Sequence, residues 1–217
     1  MGEFLPVFSA VRGNLLLTPP PEAVLVSVAE CGRGVSSLKS IRNLIRKSGA
    51  KRVYLDNGMY SYFNLWRDGQ RVIFDGRRPV YPGNGIAMNV TPNHDIYFTL
   101  ALKPNVTFVT DLPTPDLAAP QDPGEQEFYF MLSTYHNIVR AKEMAALMAQ
   151  YCPDTELYFV FQGYSPDQLL RIKKELGELQ FDGWALATRT LPWGRLAAMM
   201  ILLHHFGFKK IAYLGRE

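Results

Sequence analysis

Residues 157–166 read LYFVFQGYSP and combine the signal for a strand with the signal for a helix start. The aromatic and β-branched residues predict a strand over 157–162 that is buried on both faces. Ser165 followed by Pro166 is typical of the first residues of a helix, which we predict over 166–179. The apolar residues of this helix share one face: Leu169, Ile172 and Leu176. A buried strand that leads directly into an amphipathic helix is the repeating unit of a parallel α/β sheet.

The same alternation extends along most of the chain. Further apolar runs predict strands over 4–9, 24–28, 52–56, 107–111, 183–187 and 210–214. Helical periodicity predicts helices over 37–48 and 127–151, another after Thr91, and a last helix that Gly207 ends. The apolar face of the last helix is predicted to carry Leu196, Met199, Met200, Leu203 and Phe206. Residues 65–89 interrupt the order, because turn signals flank residues 71–74 and predict a β-hairpin inserted after the third strand.

Composition limits the class of protein. The 217 residues, 47% of them hydrophobic, suffice for one domain over 1–217. The net charge of +3 is compatible with a phosphate-bearing partner, and two distant cysteines argue against a disulfide framework or a cysteine zinc site. We find no signal peptide and no apolar run of membrane-spanning length, so we expect a cytoplasmic protein without a membrane partner.

Polar and aromatic side chains cluster where the predicted strands end. In parallel α/β folds these carboxyl ends meet at one crevice. Four ends carry such groups: Asp56-Asn57-Gly58-Met59-Tyr60, Asp111, Gln162-Gly163 and Ala187-Thr188-Arg189. Carboxylates accept hydrogen bonds from a base edge, a carboxamide donates and accepts, and an aromatic ring stacks, so the set suits an unstacked purine-like base. The alternative is that Asp56 and Asp111 cap the loops that follow them.

At these residues the chain resembles the tRNA-guanine transglycosylase superfamily. Five motifs occur in the family's order, and the first, Asp56-Asn57-Gly58-Met59-Tyr60, is similar to its Asp-Ser-Gly-Gly-Phe segment. The others are Thr91-Pro92 with Asp111-Leu112-Pro113-Thr114-Pro115, then Gln162-Gly163, Phe181-Asp182-Gly183-Trp184-Ala185 and Tyr213-Leu214-Gly215. The resemblance implies a TIM-type (β/α) barrel with the hairpin inserted after strand three, and base exchange through a covalent glycosyl-enzyme.

The resemblance also implies residue roles. Asp56 corresponds to a carboxylate that transfers protons near the sugar, and Tyr60 to the ring that stacks on the base. Asp111 and Gln162 read the base edge. The remaining pocket positions are Asn57, Gly58, Gly163, Ala187, Thr188 and Arg189. Arg77 and Arg78, in the predicted hairpin, are candidates for holding the nucleic-acid backbone.

The sequence departs from the family in three respects. The family's nucleophilic aspartate lies on an eighth strand, whereas this sequence ends at Glu217 after the seventh. The family's zinc subdomain has no counterpart here, so we expect no metal and no cofactor. Met59 and Thr188 stand where the family has glycines, which reshapes the pocket.

Two hypotheses follow for the activity. In the first, the chain exchanges guanine for a 7-deazaguanine base in nucleic acid, with Asp56 or Asp111 as nucleophile or an eighth strand from another chain. DNA is slightly preferred over tRNA, because Asp56-Asn57-Gly58 is closer to the branch that modifies DNA. In the second, the chain is a non-catalytic partner that keeps the base pocket. The open edge of a seven-stranded barrel predicts a homo-oligomer or a second chain that covers it.

Overall fold

The computed structural model describes residues 7–9, 21–27, 35–58, 73–74, 79–80, 92–111, 122–187 and 192–214. These residues fall into two compact units. Unit one comprises Met1–Phe108 with Leu147–Thr155, and unit two comprises Val109–Ala146 with Glu156–Glu217.

Unit one contains parallel strands that alternate with helices. Its elements are β1 (Val7–Ser9), β2 (Ala23–Ser27), α1 (Val35–Ser48), β3 (Arg52–Asp56), β4 (Ile73–Phe74), β5 (Pro79–Val80), α2 (Pro92–Leu102) and β6 (Val106–Phe108). Strands β1, β2, β3 and β6 pair in that order, each parallel to its neighbour. Strands β4 and β5 form an antiparallel pair inside the segment for which we predicted a hairpin. The residues that join them lie outside the described part of the chain.

The core of unit one lies between the sheet and its helices. Alternate strand residues point to one face, so Val24, Val26, Val53 and Leu55 form one buried layer with Phe98 of α2. The helices complete this layer with half-buried residues: Leu38, Ile41, Ile45 and Leu102. The Arg42 guanidinium donates to the carbonyl of Ala101 through Nε, at 2.8 Å, and Nη2, at 2.5 Å, which ties α1 to the end of α2.

Unit two follows the same plan. Its elements are α3 (Pro123–Tyr151, whose last residues belong to unit one), β7 (Glu156–Phe161), α4 (Pro166–Leu176), β8 (Gly183–Leu186), α5 (Trp193–His205) and β9 (Ile211–Tyr213). Strands β7, β8 and β9 are parallel and pair in sequence order. The prediction of an α/β fold with parallel strands is therefore confirmed within each unit.

Aromatic rings form the centre of unit two. Phe159 and Trp184 occupy paired positions on β7 and β8, with ring centroids 4.8 Å apart. Phe181 packs against Phe159, and Phe208 packs against Trp184, each with 5.3 Å between ring centroids. Buried side chains of α4 and α5 include the residues for which we predicted that role: Leu169, Ile172, Leu176, Leu196, Met199 and Leu203.

Helix ends agree with their sequence signals. The Ser165 hydroxyl accepts a hydrogen bond from the Gln168 backbone N–H at 3.3 Å, as the predicted N-cap of α4 requires. Gly207 follows α5 with a φ of 86°, a left-handed conformation that favours glycine. Among the described helices, none combines the length and the apolar character that crossing a bilayer requires.

Substituting Gly183 by alanine is expected to destabilise the protein by about 1–3 kcal/mol, the usual range for overpacking a core. A Cβ at this position would lie 2.6 Å from Cζ of Tyr158 and 2.8 Å from the Lys210 carbonyl oxygen, and the latter is backbone that cannot rotate away. Urea denaturation measures the change. Gly194→Ala is the matched control, because a Cβ there, in the first turn of α5, has no atom within 4 Å. Equal free energies of unfolding for the two variants would contradict the packing at Gly183.

Candidate functional site

A buried carboxylate and a buried carboxamide meet in unit two. The Val109 N–H donates to the Tyr158 carbonyl at 2.9 Å, so the backbone just before Asp111 lies beside β7. Asp111 is 5% exposed and Gln162 is 8% exposed, and Nε2 of Gln162 donates a hydrogen bond to Oδ2 of Asp111. The structure thus brings together two residues that the sequence places 51 positions apart.

A buried carboxylate needs hydrogen-bond donors in place of water, and this hydrogen bond provides one of them. A charged group buried without partners is very costly, whereas hydrogen bonds to a charged group stabilise by about 1.5–3 kcal/mol. Because Nε2 of Gln162 faces Asp111, the carboxamide oxygen lies on the other side of the amide group. The pair therefore combines a carboxylate with an oriented amide. It is suited to a flat ligand whose edge carries N–H donors.

The turn after Gln162 is fixed by packing. A Cβ on Gly163 would meet the Phe161 ring, with Cε2 at 2.8 Å, and would lie 3.1 Å from Oε1 of Gln168. The Phe161 ring is itself buried and contacts Phe130 of α3 at a centroid distance of 6.5 Å. Only glycine fits here, because the backbone just after Gln162 lies directly against the Phe161 ring.

A polar network then connects this turn to two helices. The Tyr164 N–H donates to Oε1 of Gln168 at 2.7 Å, and Nε2 of Gln168 donates to Oε2 of Glu127 at 3.1 Å. Arg171 of α4 forms an ion pair with the other oxygen of Glu127 and lies over the Phe130 ring. Glu127 and Gln168 are positioning residues that the sequence reasoning missed. Part of the signal was present, because Ser165 and Gln168 have the spacing of a capping box.

The network favours the charged form of Glu127. The hydrogen bond from the Gln168 side chain, and then the hydrogen bond and positive charge of Arg171, hold the pKa of Glu127 below its ordinary value of 4.5. Burial acts in the opposite direction and is outweighed.

The carboxyl end of β8 lies beside the carboxyl end of β7. The Ala187 N–H donates to the Phe161 carbonyl at 3.0 Å, so the backbone just after β8 lies beside the last residue of β7. Ala187 is half-buried. Two neighbours in the predicted pocket, Thr188 and Arg189, lie outside the described residues.

Asp56, Asn57 and Gly58 lie in unit one, at the end of β3. Oδ2 of Asp56 accepts a hydrogen bond from the Gly58 N–H at 3.1 Å, which makes a local turn, and Gly58 has a φ of 76°. This is the loop-capping contact that we weighed as the alternative role of Asp56. The carboxylate is half-buried, whereas Asn57 is buried. Tyr60, Arg77 and Arg78 lie outside the described part of the chain.

One further carboxylate was not anticipated from the sequence. Asp95, in the first turn of α2, is buried in unit one. An acidic residue in a first turn is usually an exposed complement to the helix dipole, so nothing in the sequence distinguished it. Within the described residues, no three histidine, cysteine, aspartate or glutamate side chains are grouped so as to hold a metal ion.

No protein-family model and no curated protein matches this chain. The resemblance described above therefore rests on its motifs.

Replacing Glu127 by glutamine is expected to remove a pH-dependent part of the stability. The pKa of Glu127 is depressed in the folded protein, so its contribution is present above pH 4.5 and is lost as the pH falls through the lower folded value. Glu127→Gln should therefore be less stable than the wild type near neutral pH, and the difference should shrink in acid. Denaturant titrations at a series of pH values measure it. Glu143→Gln, on an exposed residue of the same helix, should leave the profile unchanged, and a pH-independent effect of Glu127→Gln would contradict the ion pair.

Proposed function

We propose that this chain is a base-exchanging transglycosylase that replaces guanine in nucleic acid with a 7-deazaguanine base. The observation that carries the proposal is the buried pair of Asp111 and Gln162, which has the chemistry needed to read the edge of a purine-like base. Guanine and its 7-deaza analogues present N–H donors on that edge, and a carboxylate is an acceptor only. The pair also lies where parallel strands end, the usual location of ligands in α/β proteins.

The proposed architecture is a TIM-type (β/α) barrel without the zinc subdomain, with a hairpin inserted after its third strand. Parallel strands that alternate with helices in each unit support it. In this proposal Tyr60 stacks on the base, Arg77 and Arg78 hold the phosphate backbone, and the backbone near Ala187 and Thr188 contacts the base. DNA is the preferred polymer, with tRNA as the alternative.

The hydrogen bonds and burial of Asp111 and Asp56 favour a different role for each carboxylate. Asp111 is buried and bonded to Gln162, which suits a fixed acceptor for the base. Asp56 is half-buried, and Oδ2 is held by the turn at Gly58, so its carboxylate keeps contact with solvent. A group that transfers protons during turnover needs such contact, and we assign the acid/base step to Asp56. The nucleophile that attacks C1′ as guanine leaves is then Asp111, or an eighth strand from another chain supplies it.

The same contacts favour a second candidate, a base-binding subunit without catalysis. Each carboxylate accepts a hydrogen bond, Asp56 from Gly58 and Asp111 from Gln162, and such bonds reduce the nucleophilicity of an oxygen. In that case the pocket would bind a deazaguanine, and another polypeptide would supply the nucleophile.

Asp111→Asn is expected to weaken binding of a free 7-deazaguanine base by about 10- to 100-fold, because it removes a charge-assisted hydrogen bond. The new amide would also point a donor at Nε2 of Gln162 or at the base. Isothermal titration calorimetry measures the dissociation constant, and circular dichroism checks that the variant is folded. Asp154→Asn, on an exposed aspartate, is the matched control. Unchanged affinity in Asp111→Asn would remove the observation on which the proposal rests.

Asp56→Asn is expected to reduce base exchange by at least about 100-fold, the lower range for loss of an acid/base group, while free-base affinity changes little. The measurement is release of labelled guanine from duplex DNA, single-stranded DNA and tRNA in the presence of a deazaguanine. If the wild-type chain binds the base but releases no guanine from any polymer, the subunit without catalysis is the correct candidate. If it binds no base, both candidates fail.

A further inference from the structure

The exposed face of α3 carries four large apolar side chains in one line. Phe128, Met131, Tyr135 and Val139 are 63%, 51%, 70% and 49% exposed, and their spacing of three or four residues puts them on one side of the helix. We call this line the α3 stripe. All four residues belong to unit two.

The stripe is exposed because it lies on the side of α3 opposite the buried residues of the same turns, which include Phe130, Asn137 and Ala141. Phenylalanine, tyrosine and methionine are also the residues enriched in protein interfaces, whereas a solvated helix face is mostly charged.

We propose that a second copy of this chain covers the α3 stripe, with the two helices antiparallel about a two-fold axis. The stripe is complementary to itself in that orientation. An axis that crosses the helix near residues 133 and 134 places Phe128 opposite Val139, and Met131 opposite Tyr135, so a larger side chain meets a smaller one at each level.

The charges at the ends of the stripe agree with this orientation. Lys142 is exposed, lies three residues beyond Val139, and continues the same side of the helix. In the antiparallel pair it comes within one helical turn of Glu127 in the other copy. A parallel pair would instead bring Lys142 next to Lys142. In the antiparallel arrangement Lys142 therefore approaches a carboxylate, which also binds Arg171 of its own chain, and not Lys142 of the other copy.

The apolar area of the stripe corresponds to a weak dimer. The exposed parts of the four side chains amount to on the order of 400 Å² in each copy, given about 200 Å² for a phenylalanine or tyrosine side chain. Two stripes bury about twice that area, roughly 800 Å², which is below the value of about 1,200 Å² for specific stable interfaces and in the range of weak, transient ones. A dimer of that size is expected to dissociate on dilution.

The first test is the mass of the full chain in solution, measured by analytical ultracentrifugation from sub-micromolar to the highest attainable concentration. The wild type is expected to change from monomer to dimer over this range. Tyr135→Glu should raise the dimer dissociation constant at least about 100-fold, because the substitution occurs twice in each dimer. Ile201→Glu is the matched control, since Ile201 of α5 is also 70% exposed and apolar but lies outside the stripe.

A mixing experiment tests the antiparallel orientation. Met131→Lys and Tyr135→Glu should each be monomeric alone, whereas an equal mixture should form a heterodimer in which the new lysine faces the new glutamate. Circular dichroism and thermal melts of each variant check that the fold is intact. A wild-type chain that stays monomeric at every concentration overturns the proposal, as does a dimer that Ile201→Glu disrupts and Tyr135→Glu does not. A dimer lost in both stripe variants but not restored in the mixture overturns the antiparallel arrangement. None of these readouts depends on base exchange.

Discussion

The hydrogen bond between Gln162 and Asp111 is the contact on which the rest of unit two depends. A carboxylate as buried as that of Asp111 needs fixed donors, and Gln162 can act as one only if the turn after β7 holds its position. Gly163 provides this by letting the backbone lie against the Phe161 ring. The link from Tyr164 through Gln168 to Glu127 then anchors the turn to α3. Packing and polar contacts therefore serve one requirement, which is to keep a carboxamide beside a buried charge.

Asp111 of unit two and Asp56 of unit one are held in different ways, with different chemical consequences. Asp111 depends on a residue far away in sequence, so its environment exists only in the folded protein. Asp56 bonds to its own loop at Gly58, a contact that needs only three consecutive residues. A group held by distant partners in a buried setting is preorganised for recognition, whereas a half-buried group with a local contact can exchange protons with water. Both residues are aspartates, so it is the difference in their hydrogen-bond partners and burial that distinguishes the role proposed for Asp111, binding the base edge, from the role proposed for Asp56, transferring protons.

Much of the secondary structure could be predicted because its signals are local. The bounds of β3 agree with the predicted 52–56, the start of α4 follows from Ser165, and the end of α5 follows from Gly207. The predicted end of α4 at 179 was wrong, because the helix ends at Leu176 and Gly177 caps it. The periodicity of α5 was less informative at its margins, because Met200 is exposed and Phe206 only half-buried although both fit the apolar face. The contact of Glu127 with Gln168 spans 41 positions, and no local rule could pair them. Most strand ends could be predicted to within a residue, whereas β6 ends at Phe108 and not at the predicted 111. The residues that support the strand ends could not be predicted.

Helix α3 links the proposed base-binding turn to the proposed dimer interface through neighbouring residues. Glu127, which holds Gln168, directly precedes Phe128, the first residue of the α3 stripe. A second copy seated on the stripe would displace water from this end of the helix and bring Lys142 of the partner copy near Glu127. Lower local polarity strengthens hydrogen bonds and ion pairs that are already formed, so the contacts from Glu127 to Gln168 and Arg171 would tighten. Because Gln168 also accepts the Tyr164 N–H, that effect would reach the turn that carries Gln162. Dimer formation and order in the base-reading turn are then expected to change together, although the stripe and the Asp111–Gln162 pair share no residue.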